Sequence, residues 1–197
     1  MKEIIKILYT SVFLFLIALT LEAKAKILSL GNSDAKVTVK VFSSLTCPHC
    51  AKFHENIFSR LKSEYIDAGK VTFEHHSFPL DLAALNAEKL IRCSSSVEKN
   101  FDLLAKLYEK QKDWAIGSDI NVINKLLIKI GLENNFEESA MNKCITDDKI
   151  QEIILNERID AQKKYKISST PTIYINDKKY EGGPKYKSLK KQIDKLL

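Results

Sequence analysis

The sequence predicts an α/β fold in which a sheet begins, is interrupted by a block of helices, and is then completed. Three observations predict it. Residues 37–78 read strand, helix, strand. Residues 81–165 carry helical periodicity almost throughout. Strand-like residues return at 171–182, ahead of a last helix. At 197 residues, 45% of them hydrophobic, the chain is large enough for one domain with a real core.

The first segment is not read as fold. Lys2 and Lys6 are positive, residues 7–21 are apolar with a few hydroxyls, and Ala23 and Ala25 stand where a cleavage site needs small residues. This is the layout of a secretory signal peptide over 1–25, with cleavage expected after Ala25 and the domain over 26–197. An uncleaved anchor is the alternative. The apolar run is shorter than the ~20 residues a span needs. No cysteine lies near the cleavage point, so no lipid anchor is expected there.

The first predicted strand is "VTVKVFS", 37–43, which alternates and is β-branched. "TCPHC" follows at once. Phe53, Ile57, Leu61 and Tyr65 then recur every four residues, which predicts a helix over about 48–67, closed by Gly69. "KVTFEHHSF", 70–78, predicts a second strand, stopped by Pro79. Strands joined through a helix are expected to be parallel.

The helical block follows. Leu82, Leu85, Ala87 and Leu90 mark one segment; Val97, Phe101, Leu104, Leu107 and Tyr108 mark another. Ser118 or Asp119 caps a third, which carries Ile120, Ile123, Leu127 and Ile130 and is expected to end at Gly131. Phe136, Met141 and Cys144 suggest a short fourth, and Ile150 to Tyr165 a longer fifth. The insertion into the sheet is placed at about 80–150. "PTIYIND" and "KKYEG" then predict strands at 171–177 and 178–182, with a turn near Asn176 and Asp177. A helix over 185–196 ends the chain.

The formal charge is +6. The lysines are scattered among acidic neighbours and form no long like-charge run, so they read as a solvated surface. No nucleic-acid partner is expected.

The chemistry lies in the cysteines: Cys47, Cys50, Cys93 and Cys144. An exported chain occupies a compartment that tolerates disulfides. Cys47 sits where a strand ends and a helix begins. Unpaired N–H groups and the helix dipole favour negative charge there, so Cys47 is the candidate reactive thiolate. Pro48 fits the helix start, where its missing N–H costs little. His49 brings a positive charge or a donor toward the same sulfur. Cys50, one turn inward, completes a pair able to cycle between dithiol and disulfide. A zinc knuckle is one alternative, but no second C-x-x-C or spaced histidine pair exists to complete it, so no metal is expected. An inert structural disulfide is another.

The segments "FSSLTCPHC", "FPLDLAALNAEKLIRC" and "SSTPTIYINDKKYEG" lie in order across roughly residues 30–182. With them, the chain resembles the DsbA-like branch of the thioredoxin superfamily. The resemblance implies a thioredoxin fold with an inserted α-helical subdomain. It implies a periplasmic thiol:disulfide oxidoreductase that donates disulfides to reduced, unfolded exported proteins, with no bound cofactor. Cys47 and Cys50 would form its redox-active disulfide. Pro171 would be cis, with Thr170 presenting backbone to the client. A quinone-linked membrane oxidase would be the transient partner. Threonine before that proline is also seen in the disulfide isomerases, which carry an extra N-terminal dimerisation region. About a dozen residues between Ala25 and the strand at 37 leave no room for one, so a monomer is expected. An isomerase or reductase of the same fold stays open, as does a non-enzymatic metal- or client-binding module.

Cys93 and Cys144 both fall in the helical block and are expected to pair, as a second, non-catalytic disulfide does in members of this branch. Two buried, inert thiols are the alternative. His54 is expected on the helix surface. His75 and His76 are adjacent in a strand and point to opposite faces, so one is expected to be exposed. Phe101, Tyr108 and Trp114 are assigned to the core.

Overall fold

The computed structural model describes residues 27–197. The expected signal peptide and its cleavage point lie outside the described residues. Five strands form one sheet: β1 (Leu28–Leu30), β2 (Val37–Ser43), β3 (Val71–Ser77), β4 (Thr172–Ile175) and β5 (Lys178–Lys179), in the order β1-β3-β2-β4-β5. β2 and β3 are parallel, in register from Val37 opposite Val71 to Ser43 opposite Ser77. The other pairings are antiparallel. β1 was not anticipated, because three residues are too few to show alternation. It exists by pairing with the edge of β3, Leu28 opposite His75. The last two strands are shorter than expected, and Asn176 turns the chain between them where the sequence placed the turn. Its φ is 52°, in the left-handed region that asparagine tolerates. Its side-chain oxygen accepts from the Thr38 N–H at 2.8 Å, and its own N–H donates to the Thr38 carbonyl at 2.7 Å. The hairpin is thereby tied to the start of β2.

Helix α1 spans 48–66 and contains two widened turns, His54–Phe58 and Lys62–Ile66. The sequence explains them. A four-residue repeat drifts about 40° per step around a helix of 3.6 residues per turn. Widened turns cancel the drift, and Phe53, Ile57, Leu61 and Tyr65 are all buried. Between β3 and β4 lie α2 (Leu82–Leu90), α3 (Val97–Glu109), α4 (Gln111–Trp114), α5 (Ile120–Glu133), α6 (Glu138–Ile145) and α7 (Asp148–Tyr165); α8 (Tyr186–Asp194) follows the hairpin. Asp81, Ser96, Asp119 and Asp147 cap α2, α3, α5 and α7 through their side-chain oxygens. Gly131 does not end its helix as expected. It lies inside α5, where an added methyl would overlap the Met141 side chain of α6. The helix stops instead near Asn135, whose φ is 61°. Cys93, just after α2, is disulfide-bonded to Cys144 in α6, with Cα atoms 5.9 Å apart.

The sheet is covered on both sides. Val37, Val39, Val41 and Phe73 lie under α1 and under Leu103, Leu104, Leu107 and Trp114 of the helical block. Phe42, Phe78, Ala161 and Ile167 pack on the other face. Phe101, Tyr108 and Trp114 are buried, as read.

His54 and one of the two strand histidines depart from expectation, because the faces they lie on are covered. His54 is buried, stacked on Tyr108 and Phe58 with ring centroids 4.4 and 4.5 Å away. Burial, reinforced by the charge of His75, pushes its pKa well below the usual range and keeps it neutral. His75 and His76 do point to opposite faces, but a central strand with both faces covered buries both. His75 Nε2 meets the Glu88 carboxylate at 2.9 and 3.2 Å. Glu88 also accepts from Ser77 at 2.7 Å, and Ser77 accepts from Arg92, which bonds Glu157 at 2.6 Å. Burial raises the Glu88 pKa, but His75, Arg92 and Ser77 outweigh it and hold the carboxyl below its usual value. Glu88 is thus a buried anion whose removal strands its partners. Glu88→Ala is expected to cost about 3–5 kcal/mol of stability in urea unfolding.

Candidate active site

β2 ends at Ser43 and delivers the chain to Cys47, the residue that caps α1. Cys47 has extended geometry (φ −79°, ψ 119°) and Pro48 takes the first helical position. The first turn contains no acid, so nothing there repels a sulfur anion. Cys50, one turn on, is completely covered, while Pro48 and His49 are exposed. Both sulfurs are free thiols.

Opposite them stands the start of β4. The Thr170–Pro171 peptide bond is cis. The Cys47 thiol donates to the Thr170 carbonyl at 3.4 Å. The Thr170 hydroxyl is buried and makes no well-formed hydrogen bond among the described residues. It lies beside the sulfurs and favours ionisation of both.

The two thiols differ sharply. The Cys47 pKa is lowered to about 5. The largest cause is the hydrogen bond from the Cys50 thiol. Burial opposes it, and the Thr170 side chain and the N–H groups of Cys50 and His49 add to it. Cys50 goes the other way. Burial pushes its pKa far up, and its bond to Cys47 pushes it further. His49 thus acts on the sulfur through its backbone N–H, and its imidazole stands at the rim of a groove of about 520 Å³. Phe53, Ile57, Thr170, Pro171, Ile173 and Tyr180 line the same groove.

The helical block holds the turn that carries Cys47. The Thr46 hydroxyl donates to Asp81 at 2.7 Å, and the Leu80 N–H donates to the Ser44 hydroxyl at 3.2 Å. The Tyr108 hydroxyl donates to the Ser44 carbonyl at 3.4 Å. The buried Gln111 amide donates to the carbonyls of Leu45, at 2.7 Å, and Cys47, at 3.0 Å. Sequence reasoning missed Asp81, Tyr108 and Gln111 as neighbours of the site. Tyr108 reads only as core, and nothing in the sequence reading marks Asp81 or Gln111. Cys93 and Cys144 lie in the block and are not among the groups that touch the turn.

A dithiol at a helix start, facing a cis-proline strand on a sheet of this order, defines the class of thioredoxin-fold proteins with a C-x-x-C pair. A family model described as thioredoxin matches residues 23–195. The chain belongs to the thioredoxin superfamily, in its DsbA-like branch. It is similar to the crystal structure of alpha-DsbA1 from Wolbachia pipientis, with a TM-score of 0.79 and 32% identity over 87% of this chain and 90% of that one. It is similar to BdbD from Bacillus subtilis, with a TM-score of 0.73 and 28% identity over 86% and 92%. It is 31% identical over 180 residues to disulfide bond formation protein D of Bacillus subtilis, covering 85% of this chain and 76% of that protein. Relatives from Rickettsia are longer. The chain spans 63% of the one from Rickettsia bellii and 53% of the one from Rickettsia typhi.

The depressed Cys47 pKa is also a statement about stability. The ordinary thiol value is 9.0 and the folded one about 5. The stabilisation of the reduced fold is therefore complete above pH 9 and lost as pH falls through 5. At pH 7 it is on the order of 3 kcal/mol. The thiolate ultraviolet absorbance of the reduced protein is expected to titrate near pH 5 and to vanish in Cys47→Ser. A midpoint near 9 would contradict the geometry.

Proposed function

We propose that the chain is an exported thiol:disulfide oxidoreductase that donates disulfide bonds to other exported proteins through the Cys47–Pro48–His49–Cys50 pair. The observation that carries this reading is the unlike setting of the two thiols: Cys47 caps α1 against the cis Thr170–Pro171 strand start and Cys50 is completely covered, which favours a thiolate on Cys47 and a proton on Cys50. A stable thiolate favours the dithiol form, which makes the corresponding disulfide oxidising. The signal-like segment over 1–25 supports export to the periplasm. A relative that covers most of this chain is called a disulfide bond formation protein.

The exchange has two displacements. A client thiolate attacks the Cys47 sulfur of the disulfide form. The Cys47–Cys50 bond breaks, Cys50 leaves as a thiolate and takes up a proton, and a mixed disulfide remains. A second client thiolate attacks the client sulfur of that bond and expels Cys47 as a thiolate. The client has lost two electrons and the pair has gained them. Cys47 is the exchanging atom and Cys50 completes the pair. Pro48 starts the helix that stabilises Cys47, and His49 adds its N–H. Thr170, whose carbonyl faces Cys47, and Pro171 hold an extended client backbone beside the sulfur, a form of strand addition. The groove takes client side chains. The pair must then pass its electrons to a quinone-linked membrane oxidase. The protein works as a monomer over a domain beginning at 26, with Cys93–Cys144 as a structural staple.

The test is the equilibrium of the pair against glutathione. A potential well above the roughly −270 mV of thioredoxin supports disulfide donation. A value near thioredoxin's would reverse the direction and leave a reductase or isomerase of the same fold. Cys47→Ser is expected to abolish exchange with a reduced model peptide. In His49→Ala the backbone N–H remains, so an unmoved Cys47 titration would remove the imidazole from the mechanism.

A further inference from the structure

Gln111 lies outside the C-x-x-C motif and outside the groove, yet it is the buried side chain that bonds two carbonyls of the sulfur-bearing turn. Its amide nitrogen reaches Leu45 O at 2.7 Å and Cys47 O at 3.0 Å. The Cys47 carbonyl already accepts from the N–H groups of Cys50, at 3.0 Å, and Ala51, at 3.2 Å. A third donor on one oxygen draws the peptide dipole inward and fixes the plane of the peptide that starts α1. Polarised hydrogen bonds in a low-dielectric interior reinforce one another. Gln111 comes from α4, a single turn of helix placed by the burial of Trp114, whose ring N–H donates to Leu107 O at 2.8 Å. The donor is therefore carried by a rigid, covered element and not by a loop.

We propose that Gln111 is a positioning residue for the exchanging sulfur: by holding the Leu45 and Cys47 carbonyls, it fixes the peptide that starts α1 and with it the place of Cys47 Sγ at the helix N-terminus, opposite the Thr170 carbonyl. Through this contact the helical block acts on the sulfur without touching it. The inference rests on the reading of Cys47 as the exchanging thiol. The alternative role for Gln111 is simple bracing of the fold, in which case its loss would weaken the oxidised and reduced forms alike. A positioning role predicts an unequal effect. The thiolate exists only in the reduced form, so that form should lose more.

Gln111→Met keeps the side-chain length and removes both donors. Gln111→Glu tests the same contact differently: protonated, it donates one hydrogen bond, and ionised it repels both carbonyls. The measurements are the thiolate titration, the glutathione equilibrium and urea unfolding of both redox forms, on wild type and variants together. In Gln111→Met the thiolate midpoint is expected to rise by about one pH unit, and the equilibrium to shift about tenfold toward the protein disulfide at pH 7. In Gln111→Glu the midpoint is expected to lie between those of wild type and Gln111→Met at acid pH, while the Glu is protonated. An unchanged midpoint and equilibrium in both variants would overturn the proposal. Equal destabilisation of the two redox forms would overturn it too, and that readout holds even in a weakened fold. Failure of the functional reading would appear in the wild-type equilibrium itself, and failure of this inference only in the difference between variant and wild type.

Discussion

The site depends on the direction in which the first peptide of α1 points. Cys47 ends the approach from β2 and caps the helix, so its sulfur sits at the N-terminal end of α1, where the helix dipole favours negative charge. The surrounding contacts fit that constraint. The four residues ahead of the helix are held by Leu80, Asp81, Tyr108 and Gln111, all from segments far along the chain. The strand start at Thr170 and Pro171 closes the other side.

Burial sets the difference between the sulfurs, and it does so unequally. Cys50 is completely covered and pays the full desolvation cost of charge, so it stays protonated and donates to its neighbour. Cys47 is also largely covered, yet the donors around it exceed the cost. Two identical residues three positions apart thus acquire opposite tendencies from environment alone. The same logic operates below the site. His54 is kept neutral by burial, whereas Glu88 is kept charged because His75, Ser77 and Arg92 satisfy it. Polar groups inside this core take the state their partners permit.

Much of the architecture was legible from local pattern. Alternation marked β2, and a four-residue repeat marked α1. Of the two cap candidates read for α5, Ser118 and Asp119, Asp119 caps it. Failures came where a residue's meaning depends on a distant neighbour. Gly131 looked like a stop and is a point of close approach to Met141. His54, His75 and His76 looked partly exposed, because one strand or helix cannot show that both of its faces are covered. β1 is a strand only because β3 offers it an edge.

The sequence by itself determined the chemistry available: a cysteine pair at a strand-to-helix junction, a proline at the start of a later strand, and a helical block between them. Those are properties of short segments, and short-range sterics and hydrogen bonding act on short segments. The tertiary structure alone decided how that chemistry is tuned. The burial of both thiols, the Thr170 carbonyl facing Cys47 and the contact of Gln111 with the sulfur turn come from groups up to 123 positions apart in the chain. Electrostatic and hydrogen-bond energies depend on distance in space, and separation along the chain does not encode that distance.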